Sequence, residues 1–525
     1  MLLSTPSQER QNAGCLLDSQ LEAGRGTKVA ILTADGETTY GQLAARAAQV
    51  GNVLSDLGVA REHRVLLVMD DTPAFPATFL GAMRLGAVPV PVNPQDRVDN
   101  LNYYVEDSGA RVVVVDAALH AKVAEALRDR PDVIVLSANG EAEGAIDLDA
   151  VAEQHSDELA PASTHRDDMA FWLYSSGSTG RPKGVVHLHH DMAFTYETFG
   201  RRVLGIEASD RTFSTTKLFH AYGLGNGLTF PFSAGATAIL MAGAPKPAAI
   251  MATAARFAPT IFFSVPALYA AMLKDPAAQT GDLGSVRFCV SAAEALPEAV
   301  QQRWEQRHGL KILDGIGSTE MLHVYCSNTP EDILAGSSGK PVPGYDLRLV
   351  DENGNDVVPG EPGDLLVRGD SCAAYYWHQH EKSKRCMRGE WFYTGDRYVQ
   401  APSGHFIYQG RADDMLKVGG LWVSPADMEA CLVSHPAVSE AAVIGVRLDD
   451  TSRVKAFIIR RDDDPDWADV GQDVLGDELR TWCKDHLRRY EYPHVVDFVE
   501  DFPRTTTGKI QRFKLREREA AAAQV

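Results

Sequence analysis

The chain has 525 residues, too many for one ordinary hydrophobic core, so length alone implies two to four domains or one large domain with a satellite. Its 51 basic and 71 acidic residues leave a formal charge of −20, which argues against a general nucleic-acid or anionic-membrane binder, because phosphate backbones and lipid headgroups repel such a surface. A local basic pocket for a phosphorylated small molecule stays compatible with that charge, and the seven scattered cysteines, never arranged as C-x-x-C, indicate neither a disulfide framework nor a structural zinc site.

The opening segment MLLSTPSQERQNAG has no apolar stretch of signal-peptide length, and no later run approaches the roughly 18 apolar residues of a membrane span, so the expectation is a cytoplasmic protein. From residue 64 the chain alternates short apolar runs with amphipathic stretches. RVLLVM (64–69) reads as a buried strand, PAFPATFLGAMRLG (73–86) as a helix closed by Gly86, and AVPVPV (87–92) as the next strand. RVVVVD (111–116), DVIVL (132–136), TAIL (237–240), TIFF (260–263) and VRFCV (286–290) repeat the pattern, the signature of doubly wound parallel α/β sheets covered on both faces.

MAFWLY (169–174) predicts a strand that leads into YSSGSTGRPKGVVH (174–187), with a helix expected from His189. A strand-to-helix loop of this composition can turn N–H groups and hydroxyls toward an anion, and Lys183 adds a point charge; a plain Gly/Ser surface turn is the alternative. It is not a Walker A loop: Gly184 follows the lysine where that motif needs Ser or Thr, and Gly177 is at the wrong spacing, which excludes a P-loop kinase. DGIGSTEMLH (314–323) sets Glu320 after a strand, beside Thr319, either as an oxygen ligand for magnesium or as part of a helix cap.

Beyond residue 340 the texture changes. DLRLVDENGNDV (346–357) and GDLLVRG (363–369) look like antiparallel or small β-barrel-like strands around an Asp-Asn-Gly turn region. EWFYTGD (390–396) ends in Asp396, an acceptor for ribose hydroxyls, and GRADD (410–414) supplies Arg411, a donor to ribose or phosphate or else half of a surface ion pair. After residue 412 the pattern predicts a smaller α+β domain: two β runs flanking Gly419-Gly420, a helix near 426–434, strands near 438–446 and 454–459, and a helix near 473–488. DDDPDWADVGQD (462–473) reads as an acidic surface loop, PRTTTGKIQR (503–512) sets Lys509 in a Thr/Gly loop, and REREAAAAQV (516–525) reads as a frayed end.

Taken in order, YSSGSTGRPKGVVH, GIGSTEML, YTGD, GRADDMLKVGG and TTTGKIQRFK resemble the adenylate-forming superfamily of acyl- and aryl-CoA ligases, adenylation domains and luciferases, most of all its benzoate-CoA ligase branch, over nearly the whole chain. The resemblance implies an N-terminal domain 1–412 and a mobile C-terminal domain 413–525 with its hinge at Asp413. It implies that Ser175, Ser176, Gly177, Ser178, Thr179 and Lys183 hold the β- and γ-phosphates of ATP, that Glu320 binds Mg²⁺, and that Thr319 donates to the α-phosphate. Ala292, Ala293, Glu294, Asp314, Gly315 and Ile316 would border the adenine; Asp396 and Arg411 would hold the ribose. Lys509 would bridge the acid carboxylate and the α-phosphate, ahead of Lys183 in importance, and Lys417 would serve thioester formation.

Ala221, Tyr222, Gly317, His323 and Val324 would line the acid pocket, small residues beside a tyrosine leaving a flat slot for an aromatic ring, and His220, Gly419, Gly420 and Trp422 the CoA tunnel. Three positions are singled out: Ile316 stands where many relatives stack an aromatic residue on adenine, His220 where the benzoate branch more often has Phe, and Val324 where it often has Ile. The implied activity is ATP- and Mg²⁺-dependent formation of benzoyl-CoA or a substituted benzoyl-CoA. A stand-alone aryl-acid adenylation enzyme that loads a carrier protein is the alternative, and a silent nucleotide-binding protein is the non-enzymatic rival. The partners are an aromatic acid, ATP and CoA, not nucleic acid or membrane, with a homodimer left open.

Overall fold

Continuous apolar runs bounded by Gly and Pro become parallel strands here because helices bury both of their faces. The structure is a computed structural model; it describes residues 9–175, 181–276, 278, 281–412, 416–418, 421–448, 451–461, 467, 470–487, 491–504 and 510–522. These fall into two compact units, one holding 9–175, Arg181–Leu347 and Val367–Phe392, the other Arg348–Leu366 and the described residues from Tyr393 on.

In the first unit, a five-stranded parallel sheet runs Val88–Pro91, Arg64–Val68, Val112–Asp116, Ile134–Ala138, Ile146–Asp147. A nine-stranded sheet has a parallel centre, Ile312–Gly317, Phe288–Ser291, Ile261–Ser264, Arg211–Ser214, Thr237–Ile239 and Val29–Thr33, and antiparallel strands at both edges. The expected α/β class and the expected strands are borne out. Helices Tyr40–Asp56 and Ala74–Arg84 pack against each other through glycine: a Cβ on Gly81 would stand 2.3 Å from the Ala47 carbonyl oxygen and one on Gly51 2.9 Å from that of Gly81. Gly86, at φ 84, closes the second helix as expected.

One expectation fails at the first motif. The returning segment is a strand, Lys183–Leu188, paired antiparallel with Met169–Ser175 in the register Ser175↔Lys183, and Tyr375–Tyr376 adds a third strand. The motif is thus a β-hairpin, and the helix, Asp191–Thr195, comes only after it. Val185 and Val186 are fully buried and β-branched, so sheet pairing outweighs the helix signal that follows.

In the second unit, Val438–Leu448 and Thr451–Arg460 pair antiparallel and Val495–Phe498 joins in parallel. Side chains alternate between its two faces. Ala441, Val443, Ala456 and Ile458 share a core with Leu432 of helix Pro425–Ser434 and with Leu475 and Leu479 of helix Gln472–His486. Ala442, Ile444 and Phe457 face Leu515 and Phe502. Leu515 belongs to helix Arg512–Ala522, which corrects the frayed-end reading: Arg512 pairs with Glu429 at 2.6 Å and Lys455 with Glu519 at 2.7 Å, so the segment is tied down. The strands flanking 419–420 form the expected antiparallel pair, Leu416–Val418 with Leu421–Val423.

Candidate functional site

The hairpin delivers Lys183 to the start of its returning strand, where the side chain is only 12% exposed. Its Nζ lies 3.8 Å from Glu320 Oε1 and 4.5 Å from the centre of the Tyr376 ring. Burial pulls the ammonium below its ordinary pKa, the Glu320 carboxylate opposes that shift, and Lys382 adds to it. An anionic ligand that brought more negative charge would relieve the strain. Ser175 Oγ, at the end of the outgoing strand, is buried without a hydrogen-bond partner among the described residues. Ser176, Gly177, Ser178 and Thr179 lie outside the described residues.

Glu320 sits in a 3₁₀ turn, Thr319–Met321, after strand Ile312–Gly317. The Ser318 hydroxyl caps the turn by accepting from Met321 N–H at 3.2 Å, and Leu322 leaves it at φ 64. Four groups from elsewhere fix it: Ala373 N–H donates to Glu320 O (2.7 Å), Ser371 Oγ to Met321 O (2.8 Å), Tyr376 OH to Glu320 Oε1 (2.8 Å) and His187 Nε2 to Thr319 O (2.8 Å). Burial, then the nearby carboxylate, raises the Tyr376 phenol far above its usual range, so it stays a donor. Glu320 Oε2 takes no hydrogen bond among the described residues. One buried carboxylate beside a lysine, with no cluster of three His, Cys, Asp or Glu among the described residues, fits a hard cation that takes most of its ligands from phosphate and water.

At the carboxyl end of the parallel strands, Ser291 and Asp314 are register partners. Ligands of open α/β sheets bind at such ends. Burial pushes the Asp314 carboxyl well above the carboxylate range, against the pull of the N–H groups of Leu296 and Gly315. Ala293, beside Ala292 and Glu294, holds φ 79, a left-handed conformation that costs a non-glycine residue about 1 kcal/mol or more and concentrates at functional sites. Gly315 and Ile316 turn into antiparallel pairing with Ser327 and Cys326.

The residues expected around the acid also meet. His323 Nε2 lies 3.3 Å from the Tyr222 carbonyl, which can only accept, so Nε2 donates; burial drives the imidazole pKa down to about 3 and keeps it neutral. Phe230, Phe199 and Tyr222 surround it with ring centroids at 4.5, 5.3 and 5.4 Å. Ala221 and Val324 are buried beside the same segments. Gly317 needs its hydrogen for a backbone reason: a Cβ would meet the His323 carbonyl oxygen at 2.6 Å, so the absence of a side chain there answers to strand packing first. Phe199 and Phe230 were not anticipated. A Cβ on Gly225 would stand 2.3 Å from His323 Cδ2, and Asn226 is buried with neither amide atom bonded among the described residues. The GNGLT run forms a π-type turn, Gly225–Thr229, a geometry frequent at functional sites. His220, just before helix Ala221–Leu224, packs on Phe219 at 4.2 Å.

In the second unit, Asp396 and Arg411 face each other across the hairpin Trp391–Gln400/Phe406–Arg411, with Nη1 2.9 Å from Oδ1. Thr394 O takes a second Arg411 N–H at 3.1 Å. Lys417 and Trp422 are register partners in the short ribbon. Asp413, Gly419, Gly420 and Lys509 lie outside the described residues.

An α/β unit in which a hairpin brings a buried lysine beside a buried glutamate, with a smaller α+β unit, fits a nucleotide-dependent enzyme class, and the comparisons agree. The model of the AMP-binding enzyme family matches residues 18–377 and that of the AMP-binding enzyme C-terminal domain residues 427–509. The chain belongs to the AMP-binding enzyme family. It is 46% identical to the benzoate–CoA ligase of Thauera aromatica over 97% of this chain and 96% of that protein. Among solved structures, it resembles the anthranilate CoA ligase AuaEII in complex with anthranoyl-AMP, with a TM-score of 0.92 and 40% identity over 98% of both chains. A benzoate CoA ligase from Burkholderia xenovorans LB400 matches with a TM-score of 0.88 and 42% identity over 96% of this chain and 99% of that one.

Proposed function

We infer that this protein is an ATP-dependent, AMP-forming aryl-CoA ligase that activates benzoate or a ring-substituted benzoate. The observation that carries the reading is the near full-length likeness to a benzoate–CoA ligase. The aromatic-walled surroundings of a neutral His323 suit a planar acid. A carboxylate is a poor electrophile, so its oxygen attacks the α-phosphorus of ATP and pyrophosphate leaves. The CoA thiolate then attacks the acyl carbon of the mixed anhydride, and AMP leaves. No covalent enzyme intermediate is needed.

Each residue has a proposed part. Ser175, Ser176, Gly177, Ser178, Thr179 and Lys183 grip the leaving pyrophosphate, and Thr319 donates to the α-phosphate. Glu320 would hold Mg²⁺, which neutralises phosphate charge. Asp314 with Ala292, Ala293, Glu294, Gly315 and Ile316 borders the adenine. Asp396 and Arg411 serve the ribose. Ala221, Tyr222, Gly317, His323 and Val324 line the acid site, and His220, Gly419, Gly420 and Trp422 the CoA path. A domain boundary at Asp413 falls between the two matched family models. The seven cysteines are free, in keeping with a reducing cytoplasm.

The test is pyrophosphate release with benzoate and its hydroxy, amino and halo derivatives, with free CoA or a holo-carrier protein as acceptor. An aryl-CoA product is expected. Release without any thioester to free CoA would reject the ligase reading in favour of carrier loading.

A further inference from the structure

The strand that presents Lys183 carries, one residue before its end, a histidine that has no part in the proposed chemistry. His187 is fully buried, and its ring is held on three sides. Nε2 donates to the Thr319 carbonyl at 2.8 Å. Nδ1 lies 2.7 Å from Oδ2 of Asp191, which is equally buried and four residues further on. Phe171 of the neighbouring strand stacks on the imidazole at 5.2 Å and 21°. Asp191 is held in turn by Leu188 N–H, which donates to Oδ2 at 3.1 Å, while Oδ1, 3.3 Å from His190 Nδ1, makes no hydrogen bond among the described residues.

Burying a histidine and a carboxylate costs desolvation that an aliphatic pair would avoid. A leucine at 187 would fill the same place under Phe171. What only the polar pair supplies is a donor, oriented from behind by Asp191, aimed at one carbonyl. That carbonyl belongs to the residue before Glu320 and already accepts from Leu322 N–H at 3.0 Å. The other tethers of the turn, from Ser371, Ala373 and Tyr376, all come from a single later segment. His187 is the tether from the hairpin itself, across 132 positions of sequence.

We propose that Asp191 and His187 form a positioning dyad that locks the Thr319–Glu320 turn to the Lys183 hairpin, so that the cation ligand and the phosphate-binding lysine keep a fixed separation. The proposal rests on Glu320 as the cation ligand. Because three other tethers remain, loss of the dyad loosens the turn without unfolding it. Partners standing behind a metal ligand typically change metal affinity 10–100-fold.

The test uses His187→Phe, His187→Gln and Asp191→Asn in the full chain. Binding of Mn²⁺·ATP without acid is read by electron paramagnetic resonance, the KM for Mg²⁺·ATP by ATP–pyrophosphate exchange, and thioester formation separately from prepared benzoyl-adenylate and CoA. His187→Phe is expected to weaken Mn²⁺·ATP binding and raise that KM about tenfold or more, while thioester formation stays within about twofold. His187→Gln, whose amide can reach the Thr319 carbonyl, recovers most of the loss, and Asp191→Asn falls between. Wild-type Mn²⁺·ATP binding in His187→Phe, or an equal fall in both half-reactions with no recovery in His187→Gln, overturns the proposal. Should His187→Phe fail to fold, wild-type Mn²⁺·ATP binding in Asp191→Asn overturns it by itself. Absence of Mg²⁺-dependent exchange in the unaltered protein would instead reject the ligase reading.

Discussion

Tyr376 shows what one hydroxyl contributes at the centre of the site. Its OH is the hydrogen-bond donor to a buried carboxylate whose nearest cation, Lys183, stands 3.8 Å away, beyond hydrogen-bond reach. A hydrogen bond to a charged group is worth about 1.5–3 kcal/mol, and its removal leaves the acceptor underserved. Tyr376→Phe keeps the ring under Lys183 and deletes only that bond. The expected outcome is a loss of stability of that size, read as a lower urea midpoint, together with a greater Mg²⁺ demand in the exchange assay. An unchanged midpoint and Mg²⁺ dependence would show that Glu320 Oε1 does not depend on the phenol. Little of this arrangement is legible residue by residue. Lys183 and Glu320 stand out through their motifs, but Tyr376 lies in AAYYWH, where nothing in the string says that one of two adjacent tyrosines faces inward. Strand alternation decides it, with Tyr375 exposed and Tyr376 buried.

At the scale of elements, the loop that leads into Ala221 and Tyr222 is anchored by a charged knot behind strand Arg64–Val68. Asp71 Oδ1 accepts from Leu218 N–H at 3.1 Å, and Lys217 Nζ lies 2.8 Å from Asp70 Oδ1 and 3.8 Å from Asp71 Oδ2. Burial raises the Asp71 carboxyl from 3.8 to about 7, against the pull of Lys217 and of the Leu218 N–H. A carboxyl whose pKa rises on folding binds its proton more tightly in the folded state. Its contribution is therefore most favourable below about pH 4 and is lost as the pH climbs through about 7. Asp71→Asn removes that titration. Its stability relative to the parent should rise by more than about 1 kcal/mol between pH 5 and pH 8, measured by thermal unfolding at both values. A difference that does not change with pH would mean that Lys217 holds Asp71 ionised throughout.

The same scale shows which elements the sequence made legible. Parallel strands such as Val112–Asp116 announce themselves because burial on both faces demands an unbroken apolar run. The strand Lys183–Leu188 does not, since its pairing partner lies across a loop rich in Gly and Ser and its first residues, Lys-Gly, look like loop. The terminal helix is hidden for another reason. Among its described side chains Leu515 is the only buried one, and the Arg512–Glu429 and Lys455–Glu519 pairs that help to hold it are displayed by no local periodicity.

For the whole molecule, the question is how one chain serves two reactions with opposite needs. Adenylation calls for positive charge between the acid carboxylate and the α-phosphate. Thioester formation calls for a clear path for a thiol and for AMP to leave. The proposed division gives Lys509 the first task and the ribbon around Lys417 the second, with both lysines beyond residue 412 and the acid-pocket residues before it. Lys417 pairs in register with Trp422 in a ribbon three residues long on each side. Leu416 and Val423 of the ribbon pack into the core of the second unit, and Trp422, paired with Lys417, is the residue proposed for the CoA path. Lys509→Ala should lower ATP–pyrophosphate exchange by two orders of magnitude or more, the scale on which removing one preorganised donor to a developing charge is felt. The same variant should still turn prepared benzoyl-adenylate and CoA into thioester. Lys417→Ala should do the reverse, with exchange near the parent rate and a slowed second step. Mixing the two variants in one tube then discriminates further, because adenylate made and released by Lys417→Ala can be consumed by Lys509→Ala, so CoA ester should form faster than with either variant alone. Equal failure of both variants in the exchange assay would place both lysines in one step and remove the case for two working arrangements of the chain.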